Sequence, residues 1–78
     1  MNKNDLKLLI ASALKVGVID EISEMGKTRG WDSIRQVQLM LTLEEKCGVA
    51  IPADAFGELT SFSEIALFLK SESVLTDE

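Results

Sequence analysis

No glycine or proline interrupts the chain between Ser33 and Cys47, and Gly48 follows directly. Glycine suits the left-handed position after a helix, so this stretch is predicted to form one helix. At about 100° per residue its apolar side chains occupy one broad arc, most of which other elements must cover. The arc contains Ile34, Val37, Leu39, Met40, Leu41, Leu43 and Cys47. We therefore expect a bundle of helices.

Two other stretches have helical spacing. The first has an apolar stripe, with Asn4 or Asp5 predicted to cap it and Gly17 to end it. The members of this stripe are Leu6, Leu9, Ile10, Ala13 and Leu14. The second opens with Ser61-x-x-Glu64, the spacing of a capping box, and is predicted to end near Lys70. Its apolar face contains Phe62, Ile65, Phe68 and Leu69.

The connecting segments complete the predicted fold. Pro52 precedes a short helical turn predicted over residues 53–56, with Gly57 ending it. Residues 18–31 are irregular, and we expect them to be held down by the apolar side chains of Val18, Ile19, Ile22 and Met25. The segment SESVLTDE is expected to fray. No alternating strand pattern occurs, so the predicted fold is all-α: one domain over residues 1–78, a four-helix bundle with a long first loop and a short third helix.

Composition excludes several functions. The chain has no histidine and a single cysteine, Cys47, so it cannot form an internal disulfide, a zinc site or a Ser-His nucleophile, and we expect no enzyme activity. With 13 Asp and Glu against 8 Lys and Arg, it is not expected to bind nucleic acid. The longest apolar run near its start, LLIA, is too short to span a membrane, so we expect a cytoplasmic protein without membrane insertion. A monomer with basic partners fits this composition.

Two adjacent residues are candidates for capping the central helix. Ser33-x-x-Gln36 has the spacing of a capping box, which would explain the serine structurally. Asp32 would also cap, and its charge suits the positive end of the helix dipole, leaving the Ser33 hydroxyl free to point outward. The residues alone leave both alternatives open.

The same helix has a mixed apolar and acidic strip at the edge of its arc. Ile34 and Leu41 are flanked there by Gln38 and Glu45. Periodicity alone favours a simple overlap with the core boundary, and the alternative is a surface for a transient partner. Cys47 lies on the core-facing arc, where we expect a small apolar side chain and not a reactive thiol.

The run GWDSIRQVQLMLTLEEKCGVAIP, followed by LTSFSEIALFLK, resembles the acyl carrier protein family. The hallmark of that family is an Asp-Ser-Leu triplet at the head of its second helix, which here is Asp32-Ser33-Ile34. The resemblance is close over about residues 29–70, and residues 1–28 match only in helix placement. It implies that Ser33 carries 4′-phosphopantetheine, transferred from coenzyme A by a phosphopantetheinyl transferase, with Asp32 capping the helix beside it.

The resemblance also implies partners and a cargo. The arm would hold acyl groups as thioesters, supplied by a loading ligase or acyltransferase and used by a ketosynthase or other acyl-processing enzymes of fatty acid, polyketide or specialised lipid synthesis. Family partners contact the second helix, so the implied contact residues are Trp31, Ile34, Arg35, Gln38, Leu41, Glu44 and Glu45. Acyl chains in the family slip between helices, and the residues expected to line such a space here are Met40, Leu43, Ile51, Phe56, Ile65 and Leu69.

Departures from the family pattern bear on which carrier this is. Fatty acid carriers have more acidic residues along the second helix, where this chain has Arg35, Gln36, Gln38 and Lys46. With Trp31 before the triplet, these residues favour a stand-alone carrier of a specialised pathway, although Trp31 has an equal alternative as a hydrophobic lid on the loop. Two other functions stay open: an aminoacyl or peptidyl carrier, and an unmodified helical interaction module in which Ser33 only caps.

Overall fold

The computed structural model describes residues 1–76, and it contains three α-helices and one short 3₁₀ helix. α1 is Lys3–Leu14, α2 is Ser33–Cys47 and α3 is Phe62–Ser71, with the 3₁₀ helix Ala53–Gly57 between α2 and α3. The all-α prediction and the bounds of α2 are confirmed. The short helical turn predicted after Pro52 is present as the 3₁₀ helix, so residues 1–76 contain three α-helices and a four-helix bundle is not confirmed. 3₁₀ geometry suits such a short connector.

The ends of α1 differ from the prediction. Asn2 is the N-cap: its Oδ1 accepts a hydrogen bond of 2.8 Å from the Asp5 backbone, and Asp5 bonds back to the Asn2 N–H in a capping box. The helix ends at Lys15, which adopts a left-handed conformation with φ 59°, so Gly17 does not end it. Ser61 caps α3 as predicted, accepting a hydrogen bond from the Glu64 N–H at 3.1 Å.

One apolar core lies between the helices. Its large fully buried side chains come from all three helices and from the loop before α2: Leu6, Ile10, Leu14, Trp31, Leu39, Met40, Leu43, Phe62, Ile65 and Leu69. Of the residues expected to line an acyl space, Phe56 alone is only half-buried. No helix in residues 1–76 has the length and apolar character needed to cross a bilayer.

The long first loop is held both by backbone hydrogen bonds and by some of its apolar side chains. Ile19 is buried and Met25 packs against the core, but Val18 and Ile22 are exposed, so their predicted role in pinning the loop is wrong. The loop is instead hydrogen-bonded to the segment before α3: the Met25 N–H donates to Thr60 O at 2.7 Å and the Phe62 N–H to Ser23 O at 2.9 Å.

The end of the described chain is also attached. Leu75 is buried, and the Thr76 N–H donates a hydrogen bond of 2.8 Å to Met1 O. The Met1 amino group donates in turn to Val74 O at 3.2 Å. The prediction of a frayed tail is therefore wrong up to Thr76, and its last two residues, 77 and 78, lie outside the described part of the chain.

Candidate functional site

The head of α2 is capped by Asp32. Its backbone is extended, with φ −115° and ψ −179°, and its Oδ1 accepts a hydrogen bond of 2.8 Å from the Arg35 N–H. The backbone oxygen of Asp32 accepts the next bond, from the Gln36 N–H at 2.9 Å. The predicted Asp32 cap is confirmed, and the capping box between Ser33 and Gln36 is wrong because the Gln36 side chain bonds elsewhere.

Ser33 is the first residue of α2, and its side chain is exposed. Within residues 1–76 its hydroxyl makes no hydrogen bond, since Asp32 already serves the helix end. The N–H groups of Ser33 and Ile34 belong to the first turn and have no partner inside the helix. An exposed hydroxyl beside this positive helix end can accept a phosphoryl group without disturbing any existing bond.

Gln36, one turn after Ser33, is a buried polar residue whose side chain makes three hydrogen bonds. Its Oε1 accepts a 2.7 Å hydrogen bond from the Trp31 indole Nε1, and its Nε2 donates to Phe56 O at 3.0 Å and to Leu59 O at 2.7 Å. One side chain thereby connects the loop before α2 to the 3₁₀ helix and to the segment before α3. These bonds hold the Ser33 end of α2 in place relative to both.

Arg35 holds the opposite side of the helix head. Its Nη1 donates to Leu14 O at 3.1 Å and to Gly30 O at 3.4 Å, so it joins the end of α1 to the loop before Asp32. Gly30 has φ +85°, and a Cβ atom there would lie 2.6 Å from Cγ1 of Val16. Only glycine fits this close approach to the segment that follows α1 without strain.

A groove of about 600 Å³ is lined by Asp32 and Arg35 at the head of α2, next to Ser33 in the chain, and we refer to it as the head groove. Three cationic residues, Lys15, Arg29 and Arg35, line it with a single carboxylate, Asp32. Neither Lys15 nor Arg29 has an ion pair within residues 1–76. This local excess of positive charge in a chain of net charge −5 fits a phosphodiester next to Asp32.

The exposed face of α2 carries an apolar strip. Ile34 is 73% exposed, Val37 47% and Leu41 54%, with Gln38 and Glu45 exposed on the same side. Their spacing of three and four residues places them along one line from Ser33 toward the helix end. Val37, assigned to the core arc from the sequence, therefore belongs to this surface, which we call the α2 strip.

Three of the residues implied as partner contacts are engaged within the protein. Trp31 is buried, at 2% exposure, which agrees with its alternative as a lid on the loop and removes it from the accessible surface. Arg35 is half-buried through its bonds to the two carbonyls. Glu44 is half-buried as well, and its Oε2 accepts a 2.9 Å hydrogen bond from the Ile51 N–H.

Cys47 lies against the core at the end of α2. Burial raises the pKa of its thiol, which keeps the thiol protonated near neutral pH. The core interpretation of Cys47 agrees with this environment.

One feature of the sequence indicates that Gln36 is buried. Gln36, Leu39, Met40 and Leu43 are spaced i, i+3, i+4 and i+7, the stripe that faces the core. A polar side chain on such a stripe has to find buried partners, and an indole five residues earlier is a suitable donor. Its other two partners, both backbone oxygens, carry no sequence signal.

The family model described as phosphopantetheine attachment site matches residues 4–69. This range includes the whole of α2, all of α1 but its first residue and all of α3 but its last two. Domains of this family are the site of covalently attached 4′-phosphopantetheine and are generally non-catalytic; they interact with phosphopantetheinyl transferases and acyl-processing enzymes. Searches of curated proteins and of solved structures returned no significant match.

Proposed function

Because the chain belongs to the phosphopantetheine attachment family, we propose that it is an acyl carrier protein with its arm on Ser33. The observation that carries this assignment is the division of roles at the head of α2. Asp32 caps the helix, and the adjacent Ser33 hydroxyl is exposed and without a hydrogen bond in residues 1–76. A serine needed only as a cap would accept the bond that Asp32 accepts.

Attachment is a substitution at phosphorus catalysed by a separate transferase. The Ser33 oxygen forms a bond to the phosphorus that bears pantetheine in coenzyme A. The bond between that phosphorus and the oxygen that bridges the two phosphates breaks. The nucleotide leaves as adenosine 3′,5′-bisphosphate, and the serine proton passes to a base of the transferase. This chain supplies the nucleophile at a helix end, and Lys15 and Arg29 line the groove that Asp32, the residue before Ser33, also lines.

The arm, once attached, supplies a thiol that holds an acyl group as a thioester. Delivery then depends on tethering, which raises the local concentration of the acyl group at each partner's active site. The chain itself needs a stable helix head and an accessible surface for docking. The hydrogen bonds of Gln36 and Arg35 stabilise the helix head, and the α2 strip is the accessible surface.

We propose the α2 strip as the surface read by the transferase, the loading enzyme and a ketosynthase or similar enzyme. Ile34, Val37 and Leu41 supply exposed apolar area, and Glu45 supplies negative charge at its far end. Gln38 and Lys46 occupy exposed positions where a fatty acid carrier would have acidic residues, which favours partners of a specialised acyl pathway. Trp31 no longer contributes to that argument, because it is buried.

The proposal is tested by mass. Purified protein incubated with coenzyme A and a broad-specificity phosphopantetheinyl transferase should gain the mass of one phosphopantetheine. The gain should be lost in Ser33→Ala and retained in Ser63→Ala, a matched variant of another exposed serine in the first turn of a helix. No gain in the wild type, or a gain that survives Ser33→Ala, contradicts the assignment.

The cargo is tested separately on the loaded protein. Fatty acyl and amino acid loading enzymes are offered the same holo-protein, and the thioester formed is identified by intact mass. Acylation with fatty acids supports the acyl carrier proposal. Acylation only with amino acids would make the chain an aminoacyl or peptidyl carrier on the same fold.

A further inference from the structure

A second groove continues from the head groove along the outside of α1. It has a volume of about 350 Å³, and Gly17 and Val18 line both grooves. Its apolar lining includes Leu8 and Val18 at the rim, with Ala11 and Ile19 buried below them. Because Gly17 and Val18 line both, the two grooves adjoin on the surface, and we treat them together as one outer channel. The channel is cationic beside Asp32 and mostly apolar beyond Val18, where Asn4 and Lys7 are its polar lining.

The apolar end of this channel has no partner in the fold. Leu8 is 70% exposed and Val18 77% exposed, although both lie next to buried side chains. Covering such side chains removes apolar area from water, which is favourable. An apolar occupant of the channel would gain this energy without displacing any core residue.

The alternative location, inside the bundle beside Ser33, is closed by Gln36. Its Nε2 bonds to Phe56 O and Leu59 O fasten α2 to the chain that leads into α3. Behind it, Met40, Leu43, Ile65 and Leu69 are each 0% or 1% exposed. Entry of an acyl chain at this point would break two hydrogen bonds and leave buried carbonyls unsatisfied.

The channel is within reach of Ser33. Arg35 bonds to Leu14 O, so the head of α2 lies beside the end of α1. Leu8 precedes Leu14 by six residues, which corresponds to about 9 Å along the helix at about 1.5 Å per residue. A pantetheine chain bearing an acyl group is longer than this distance.

We propose that the acylated arm on Ser33 rests in this outer channel rather than inside the bundle. The phosphodiester lies in the head groove near Lys15 and Arg29, and the acyl end covers Leu8 and Val18. This inference depends on the proposed function, because it needs the arm on Ser33. It adds a binding site formed by α1 and the first loop, with a medium-length apolar acyl group as its ligand.

The test compares amide shifts of ¹⁵N-labelled protein in two loaded forms. Coenzyme A gives the unacylated arm and octanoyl-coenzyme A gives the octanoyl arm, both transferred by the same transferase and confirmed by intact mass. The acyl group should shift the amides of Leu8, Gly17 and Val18. Val18→Glu should abolish these shifts, and Ile22→Glu should retain them, because Ile22 is an exposed loop residue that lines neither groove.

Each outcome decides a different point. Failure of the wild type to gain any arm contradicts the proposed function itself. Successful loading with shifts concentrated at Met40, Leu43 and Ile65 places the acyl group inside the bundle and overturns the channel. Loading with no shifts beyond the neighbours of Ser33 leaves the arm free in solvent and overturns it equally.

Discussion

The indole Nε1 of Trp31 donates a 2.7 Å hydrogen bond to Oε1 of Gln36, and both side chains are buried. The same amide group also satisfies two backbone oxygens through its nitrogen. Three segments that are separate in sequence therefore depend on one side chain, which lies one helical turn from the proposed attachment serine.

Gln36→Leu should strongly destabilise the protein. The substitution leaves the Trp31 N–H and the oxygens of Phe56 and Leu59 without partners, and each buried orphan costs about 1–3 kcal/mol. With three such groups, we expect a loss of at least about 3 kcal/mol in the free energy of unfolding, measured by urea denaturation with far-UV circular dichroism. Gln38→Leu, two residues away and exposed, should stay within about 0.5 kcal/mol. Equal losses in the two variants would contradict the role given to Gln36.

Asp32→Ala should cost about 1 kcal/mol of stability, as expected for the loss of an N-cap. Ser33→Ala should change stability by less than about 0.5 kcal/mol, because its hydroxyl bonds to nothing in residues 1–76. Asp32→Asn retains an oxygen acceptor and should recover most of the loss. Thermal unfolding of the three variants gives the ranking, and a Ser33→Ala loss as large as that of Asp32→Ala would mean that the serine is the cap.

Gly30→Ala should destabilise the protein by about 1–3 kcal/mol. Alanine is strained at φ +85°, and its Cβ would overlap Val16 Cγ1 at 2.6 Å. Gly57→Ala is the matched control, because it has no positive φ and no atom within 4 Å of the added Cβ. Its stability should be unchanged or slightly higher in the same denaturation experiment. A neutral Gly30→Ala would show that the loop relaxes away from Val16.

These residues also show how far the sequence can predict this molecule. The extent of α2 followed from the absence of glycine and proline before Gly48, and the Asp32 cap followed from helix electrostatics, since both depend on neighbours in the chain. The exposure of Val18 and Ile22 could not be predicted in this way. Backbone hydrogen bonds of Ser23 and Met25 hold the loop, so these two side chains are not needed for it. The apolar character of a loop residue does not by itself indicate whether its side chain is buried.

The same distinction between local and distant interactions applies to the candidate site. Ser33 could be selected from its triplet and its position, but the surroundings that orient it are made by distant groups. Arg35 bonds to Leu14 O, which lies 21 residues away in the chain, and Gln36 bonds to Leu59 O, 23 residues away. Such pairings require the relative placement of helices, which periodicity does not provide.

Cys47 should react slowly with iodoacetamide at neutral pH. Burial raises the pKa of its thiol, so less thiolate is present at a given pH than in the unfolded chain, and the rate should rise as the pH increases. In the loaded protein the arm thiol should be alkylated first, leaving Cys47 as the slow site. Intact mass followed over a pH series checks this order, and rapid modification of Cys47 in the folded apo-protein would contradict its core position.

Leu41→Glu should reduce kcat/KM of the transferase by about tenfold or more, because it places a charge in the apolar α2 strip. Leu41 lies two turns beyond Ser33, so the effect would report docking and not local chemistry. Leu67→Glu, at a residue 70% exposed on α3, is the control and should leave the rate unchanged. Equal rates for both variants would remove the α2 strip from transferase recognition.

The bonds from Met1 to Val74 and from Thr76 back to Met1 place the two ends of the described chain against each other. The segment before α1 is thus held against the turn that follows α3. A covalent link between residues 1 and 76 would fix this contact while leaving the head of α2, remote from both residues in sequence, as it is. Such a link would restrict the unfolded chain and so raise the temperature at which the protein unfolds.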